Sequence, residues 1–324
     1  MKNHRKTWRF NVSSVCPLCA STAVTFITNQ LRFDQQADVL KCSQCSLVYI
    51  DQNSFQFPSD FYETQYHQTY LTHVDPEILD PEKYYKKMQK ASAIWTSKIK
   101  EMLSGTESVL DVGCSTGHLL TGIKDSAAKI FGHELNRKEV EFCQQKLGLD
   151  VDDKPLAERF LPESFDLITL VFVLEHIGKP VEFLRELKKY LKPNGKLVIV
   201  VPNIQDPLVS FYNIENFKNF YFCIEHLFYY SSETLAETLL QAGYSSTPAC
   251  LQEYPITNHL NWIYCQKPRD TLSARSSVPD VSVMDINLQN KLELFWQKTN
   301  QEYQEILVNN GYGDRLFCVA EVKK

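Results

Sequence analysis

Val109-Leu-Asp-Val-Gly-Cys-Ser-Thr-Gly-His-Leu-Leu120 decides how the rest of this chain is read. A short apolar run, a glycine-rich turn and the start of a helix follow one another there. Such a junction turns backbone N–H groups and a helix N-terminus toward a bound ligand. Gly113 and Gly117 stand in a Gly-x-x-x-Gly spacing. The dinucleotide fingerprint Gly-x-Gly-x-x-Gly would need a glycine at Ser115 and another near Leu119, so this turn is not that clamp. Asp111, Gly113, Cys114, Ser115, Gly117 and His118 are the ligand-facing candidates.

Downstream, strand and helix patterns alternate. His118–Asp125 reads as a helix and Ala127–Leu135 as the next strand. Glu134 closes that strand, 23 residues past Asp111. An acidic side chain in that position can accept hydrogen bonds from both ribose hydroxyls of a nucleoside. Asn136 caps a helix that Gly148 ends. Asp150–Asp153 is a short strand, after which Pro155 and Leu156 would line the base of such a nucleoside. Ser164–Phe172 is an apolar run of the kind expected for a strand covered on both faces. Pro180 opens a helix, Lys192-Pro-Asn-Gly195 is a turn, and Lys196–Val201 is the fifth strand. A helix over Ser232–Ala242, a strand over Pro248–Tyr254 and a short amphipathic helix over Asn258–Cys265 follow. Asp285 is expected to cap a long helix with an apolar stripe of Leu288, Leu292, Phe295, Tyr303 and Ile306 or Leu307. Leu316–Val322 is the last strand.

Asp111-Val-Gly-Cys-Ser-Thr-Gly117 resembles the first motif of class I S-adenosylmethionine-dependent methyltransferases, an acidic residue followed by x-Gly-x-Gly-x-Gly, with Ser115 in the place of the middle glycine. Phe165-Asp-Leu-Ile, Leu174-Glu-His, Phe183-Leu-Arg-Glu-Leu and Leu191-Lys-Pro-Asn-Gly-Lys-Leu continue the resemblance, which covers about residues 105–202. It implies an α/β fold: a seven-stranded Rossmann-like sheet with helices on both faces, its last strand antiparallel between strands five and six. It also implies S-adenosylmethionine as cofactor. Asp111 and the Gly113–Gly117 turn would hold the methionine part and Glu134 the ribose, with Leu135, Leu156 and Val171 beside the nucleoside.

Before this domain, Cys16-Pro-Leu-Cys19 and Cys42-Ser-Gln-Cys45 form two Cys-x2-Cys pairs. Two such pairs on turns bring four thiolates into a tetrahedron, the closed geometry of structural zinc. Thr22–Thr28, Val39–Lys41 and Leu47–Tyr49 read as the strands of a zinc ribbon. A redox Cys-x2-Cys is the rival reading, but it needs no second pair. The expected division is a zinc ribbon at 1–50, an aromatic and helical connector at 51–104, and the cofactor-binding domain at 105–324. Within the connector, Tyr62, Tyr66 and Tyr70 recur at i, i+4 and i+8. That stripe is either core packing or a lid offering a phenol to a substrate. From Pro81 to Leu103 the pattern is helical, with Tyr85, Met88, Ile94, Trp95, Ile99 and Leu103 as buried candidates and Gly105 at its end.

The chain has 324 residues and a formal net charge of −5, so there is no basic field to draw nucleic acid or an anionic membrane. The first residues are polar and basic without the apolar core of an export signal, and no apolar run is long enough to span a bilayer. Ten cysteines in such a chain point to a reducing compartment, so a cytoplasmic location is expected.

Methyl transfer requires alignment of the nucleophile, exclusion of water and often removal of a proton, a task that suits histidine. His176 stands at the end of the fourth strand. Glu225-His226 lies in the loop after the fifth, where it can overhang the same place. His226, Glu225 and His176 are the catalytic candidates, and either histidine could be the base. His118 and His133 line the cofactor or pack. The zinc pairs, the tyrosine-bearing connector, Leu-Glu-His and Glu-His together resemble bacterial sugar C-methyltransferases, which act on nucleotide-linked deoxysugars. The resemblance places Glu225, His226 and His176 around the sugar. Those enzymes carry a further C-terminal domain, whereas this chain is expected to close with the sheet. Their tyrosine before Glu-His is replaced around Phe222-Cys223-Ile224. The expected substrate is a small molecule, a nucleotide-linked sugar or a natural-product intermediate. RNA or protein methylation with the ribbon as reader, and a non-catalytic binding protein on the same fold, are the competing readings.

Overall fold

The computed structural model describes residues 14–55, 79–269, 273–279 and 286–323. Tyr62, Tyr66, Tyr70 and the expected cap Asp285 lie outside the described residues. Three strands begin the chain, β1 (Val24–Gln30), β2 (Gln36–Cys42) and β3 (Val48–Ile50). Then come β4 (Ser108–Val112), β5 (Lys129–His133), β6 (Val151–Asp152), β7 (Phe165–Val171) and β8 (Leu191–Pro202). The last four are β9 (Phe228–Tyr229), β10 (Tyr244–Ser246), β11 (Ala249–Leu251) and β12 (Arg315–Val322).

Strands β10-β12-β8-β7-β4-β5-β6 form the main sheet in that order. β4 through β8 pair in parallel, and β12 runs antiparallel between β8 and β10, as expected. One strand exceeds the expected seven: β11 also pairs with β12 and extends the sheet to eight. The strand expected over Pro248–Tyr254 is only this short segment, and β10 before it takes the sixth place. Strand order reverses between β4 and β7, so their carboxyl ends open the crevice where ligands bind in such sheets.

Local chemistry sets the helices. Asp80 accepts the N–H of Glu82 and Pro81 opens the Pro81–Ala91 helix. Ser92 breaks the expected continuous helix, and a second one runs Ala93–Lys100. Trp95 and Ile99 are buried and Ile94 is not. Trp95 stacks on Phe317 and meets Phe172 edge-on, so this helix covers the sheet. Asn136 caps the Arg137–Leu147 helix and Gly148 ends it in the left-handed region. Ser231 and Thr234 form a reciprocal capping box on the Ser232–Ala242 helix. The Ile286–Asn309 helix buries only Asn300 and Leu307. Phe295 and Ile306 of its stripe are each 57% exposed.

The small sheet runs β1-β2-β3-β9. Its fourth strand therefore comes from residues 228–229, far along the chain, with Val48 opposite Tyr229 and Tyr49 opposite Phe228. Cys42, Leu47 and Tyr49 share one apolar core with Phe228, Leu235 and Leu239. Among the described residues, no helix is long and apolar enough to cross a membrane.

Candidate active site

Strand β4 delivers the chain into a turn that only certain residues can make. Gly113 and Gly117 both adopt φ near +71°. A Cβ on Gly113 would stand 2.6 Å from Val173 Cγ2, and one on Gly117 2.6 Å from Leu149 Cδ1. Ser115, in the middle glycine's place, also takes a left-handed conformation, at φ 49°. The N–H groups of Gly113 and Cys114 donate to the His133 carbonyl at 2.8 and 3.2 Å, tying the turn to the end of β5.

Glu134, the next residue, spans the turn. Its carboxylate accepts the N–H of Ser115 on one oxygen and that of Asn136 on the other, both at 2.9 Å. Burial raises its pKa, against the pull of those donors. Asp111 lies beneath the turn, accepting the Thr169 hydroxyl at 2.6 Å, and burial pushes it up to about 7. His118 opens the Gly117-capped helix with Nδ1 buried and no hydrogen-bond partner. Burial lowers this ring to about 4, so it is neutral. Leu135 is 41% exposed, and Leu156 and Val171 are half-buried at the same edge. A cradle closed to any Cβ, an orphaned imidazole nitrogen and bare apolar edges fit a nucleoside with a polar tail.

Two residues here escaped the sequence reading. Glu139 is buried beside the turn, its pKa held well above the carboxylate range by burial and by Glu134. Its spacing after Asn136 reads as a helix-cap partner and conceals the burial. Tyr84, rather than Tyr85, brings its phenol against this group, and burial with Glu139 and Glu134 raises it. Tyr85 instead donates to Thr121 Oγ1 at 3.0 Å.

Past β7 the chain makes a short turn over Leu174–His176, and past β8 a long connection, which includes a helix over Glu215–Tyr221, returns to β9. The two are laced together. The Leu227 N–H donates to the Glu175 carbonyl at 2.8 Å, and His176 Nδ1 meets the Glu225 carbonyl at 2.8 Å. A carbonyl only accepts, so Nδ1 carries the proton and Nε2 keeps a lone pair. The His176 and His226 rings lie 4.9 Å apart at 76°. Burial takes His176 down to about 4. Burial, His176, Arg32 and Arg315 hold His226 well below the usual range. Both rings are neutral at neutral pH.

Glu225 is buried, and its carboxylate lies within 4.8 Å of a His226 ring nitrogen. Glu175 was not singled out in the sequence, yet its carboxylate lies within 4.8 Å of both imidazoles. Neither of its oxygens has a hydrogen-bond partner. Burial raises it to about 8, Arg315 opposing and Glu225 adding to the shift. His226 faces a cavity of about 670 Å³ whose wall includes Arg32, Tyr254, Trp262 and Arg315.

The four ribbon cysteines converge as their spacing predicts, with all four sulfur atoms within 4.8 Å of one another. Cys16 and Cys45 sulfurs are 3.6 Å apart, and those of Cys19 and Cys42 are 3.5 Å apart. A tetrahedron with metal–sulfur bonds of about 2.3 Å has edges of about 3.8 Å. The N–H groups of Gln44 and Cys45 point at Cys42 Sγ. Burial disfavours the Cys42 thiolate, but these donors prevail and bring it down to about 7. The cluster fits a structural zinc ion, and none of the ten cysteines is in a disulfide.

Comparison with known proteins agrees with the sheet. A family model described as a methyltransferase domain matches residues 82–248. A ubiquinone biosynthesis O-methyltransferase of Idiomarina loihiensis is 28% identical over 127 residues, 36% of this chain and 52% of that protein. A tRNA U34 carboxymethyltransferase of the same organism is 36% identical over 107 residues, 30% of this chain and 33% of that protein. The chain thus spans about half the length, or less, of these curated relatives. Among solved structures, a possible histamine N-methyltransferase from Thermotoga maritima aligns with a TM-score of 0.47 and 15% identity, over 78% of this chain and 99% of that one. The family model takes in more than half of the 324 residues, and the chain belongs to the methyltransferase-domain family.

Proposed function

We propose that the protein transfers a methyl group from S-adenosylmethionine to a small-molecule acceptor, with His226 as general base. The observation that carries this reading is the position of His226. It is a neutral imidazole, facing a large cavity and laced through its loop to the turn that ends β7. Asp111, the Gly113–Gly117 turn and His118 would hold the methionine part, Glu134 the ribose, and Leu135, Leu156 and Val171 the adenine. When bound, the sulfonium supplies an electrophilic methyl group and needs no covalent help from the protein. The chain's own work is to orient the acceptor, keep water out and take the acceptor's proton on His226. His176, locked by the Glu225 carbonyl, would orient His226, and Glu225 would stabilise the imidazolium that forms.

The zinc ion would be structural. Four cysteines leave no open coordination position, and the ribbon sheet continues into the strand that follows His226. A nucleotide-linked sugar, as the resemblance to sugar C-methyltransferases suggests, and a natural-product intermediate are the acceptor candidates. The net charge of −5 speaks for a small molecule over RNA. A cytoplasmic location suits four reduced thiols. Calorimetry with S-adenosylhomocysteine tests the reading directly. Micromolar binding is expected, and no binding would reject it.

A further inference from the structure

The wall of the His226 cavity is unevenly charged. Five of its side chains are cationic (Arg32, Lys87, Arg269, Arg275 and Arg315), and Asp206 is the single carboxylate among the described lining residues. Glu253 stands behind the wall and serves two cations at once, Arg275 at 2.9 Å and Arg315 at 3.1 Å. The described lining itself thus carries five positive charges to one negative, with Glu253 and the buried Asp314 behind Arg275 and Arg315 and with Glu225 and Glu175 behind His226, on a chain whose net charge is −5. Burial raises Asp206, the one lining carboxylate, to about 7.

The cations are held in place. Arg32 reaches from the ribbon, its backbone N–H on the Phe222 carbonyl at 2.8 Å and its side chain on the Phe220 carbonyl. Its guanidinium lies 3.9 Å over the Phe220 ring. Arg275 and Arg315 both pack over Tyr254, at 5.2 and 5.3 Å. Beside Arg32 the wall is apolar, with Trp262 5.2 Å from Phe220 and edge-on to Phe217 at 4.9 Å. A pre-positioned guanidinium loses little freedom on binding an anion, and a low-dielectric wall strengthens the contact.

Resting on the methyl-transfer reading above, we propose that this cavity selects an acceptor bearing an anionic group, a phosphate ester or a carboxylate, on an apolar or planar scaffold, with Arg32, Arg269 and Arg275 as the subsite for the charge. The zinc ribbon is then a wall of the acceptor site, because it carries Arg32. Recognition of the charge lies apart from the carboxyl ends of β4 and β5, so it is separable from cofactor binding.

The test is calorimetry on the full chain with two matched pairs of probes. Uridine diphosphate is compared with uridine, and 4-hydroxybenzoate with 4-hydroxybenzamide, while S-adenosylhomocysteine is titrated separately. At least one anion should bind about tenfold or more tighter than its neutral counterpart, with a gap that narrows as salt is added. The pair that shows the gap tells a phosphate ester from a carboxylate. Arg32→Met and Arg269→Met should each weaken that anion about fivefold or more and leave the neutral probe and S-adenosylhomocysteine unchanged, and Arg32→Lys should recover part of the loss. If neither anion outbinds its neutral counterpart, or the arginine variants weaken both members of a pair equally, the subsite is refuted. Anion binding without S-adenosylhomocysteine binding would sustain the subsite and reject the methyl-transfer reading instead.

Discussion

The proposed cofactor edge and the proposed acceptor cavity are built in opposite ways. The cofactor edge comes from nearly contiguous chain, with Asp111 through His118 and then Glu134 brought together by one strand–turn–helix and the next strand. Its shape resides in backbone geometry, so glycine positions and one carboxylate carry it. The acceptor cavity gathers Arg32 from the ribbon, His226 from the loop after β8, Tyr254 to Arg275 from the following segments and Arg315 from the last strand. Its character resides in side chains that no local pattern links. Damage to the first should therefore act on cofactor affinity, and damage to the second on acceptor binding and turnover.

Stripping the zinc proposed for the four cysteines tests the second half most severely. Chelation, or Cys42→Ser, should release one zinc per chain on elemental analysis and unfold the small sheet. Because β9 pairs with β3, acceptor turnover should vanish with it. Retention of full turnover in metal-free protein would break the comparison. Next in size, His226→Ala should cut kcat by about 10²–10⁴-fold, the range of a lost general base, with S-adenosylhomocysteine affinity intact. Equal loss of cofactor affinity would place His226 on the other side of the divide.

Glu134→Ala should raise the dissociation constant for S-adenosylhomocysteine by about a hundredfold while leaving the fold cooperative in a thermal melt. It removes the carboxylate that spans Ser115 and Asn136. Unchanged affinity would reject the ribose assignment. The smallest effect concerns pH. Burial raises Glu175 to about 8, above its unfolded value, so its native form holds a proton that the unfolded chain releases. Its contribution to stability is complete at acid pH and is lost as pH climbs toward 8. Melting temperature should fall by a few degrees across that window, and Glu175→Gln should flatten the slope. Turnover should keep its acid side well below pH 6.5, because His226 stays neutral there.

The motifs that read well in the sequence are those whose chemistry is local. The Gly113–Gly117 turn, the Asn136 cap and the Cys-x2-Cys pairs all place their partners within a few residues or on equivalent turns. Boundaries slipped where packing decided them. Ser92 divides an expected single helix, β11 adds a strand, and Ile94 and Phe295 face solvent despite their apolar spacing. Glu139 carries a sequence signal with two readings, a helix cap or a buried acid, and only its neighbours choose between them.

Order along the chain thus determined the alternation of strands and helices, the glycine turn and the meeting of the four cysteines, since each follows from periodicity, glycine stereochemistry or ligand spacing. Tertiary structure alone decided that β9 completes the small sheet, that the Glu175 carboxylate lies close to both histidines and that Arg32 and Arg315 share a cavity. Residues 32 and 315 have no common period, turn or spacing. Their meeting depends on how separate layers pack, and charge in a buried wall takes its effect from the company it keeps rather than from its place in the chain.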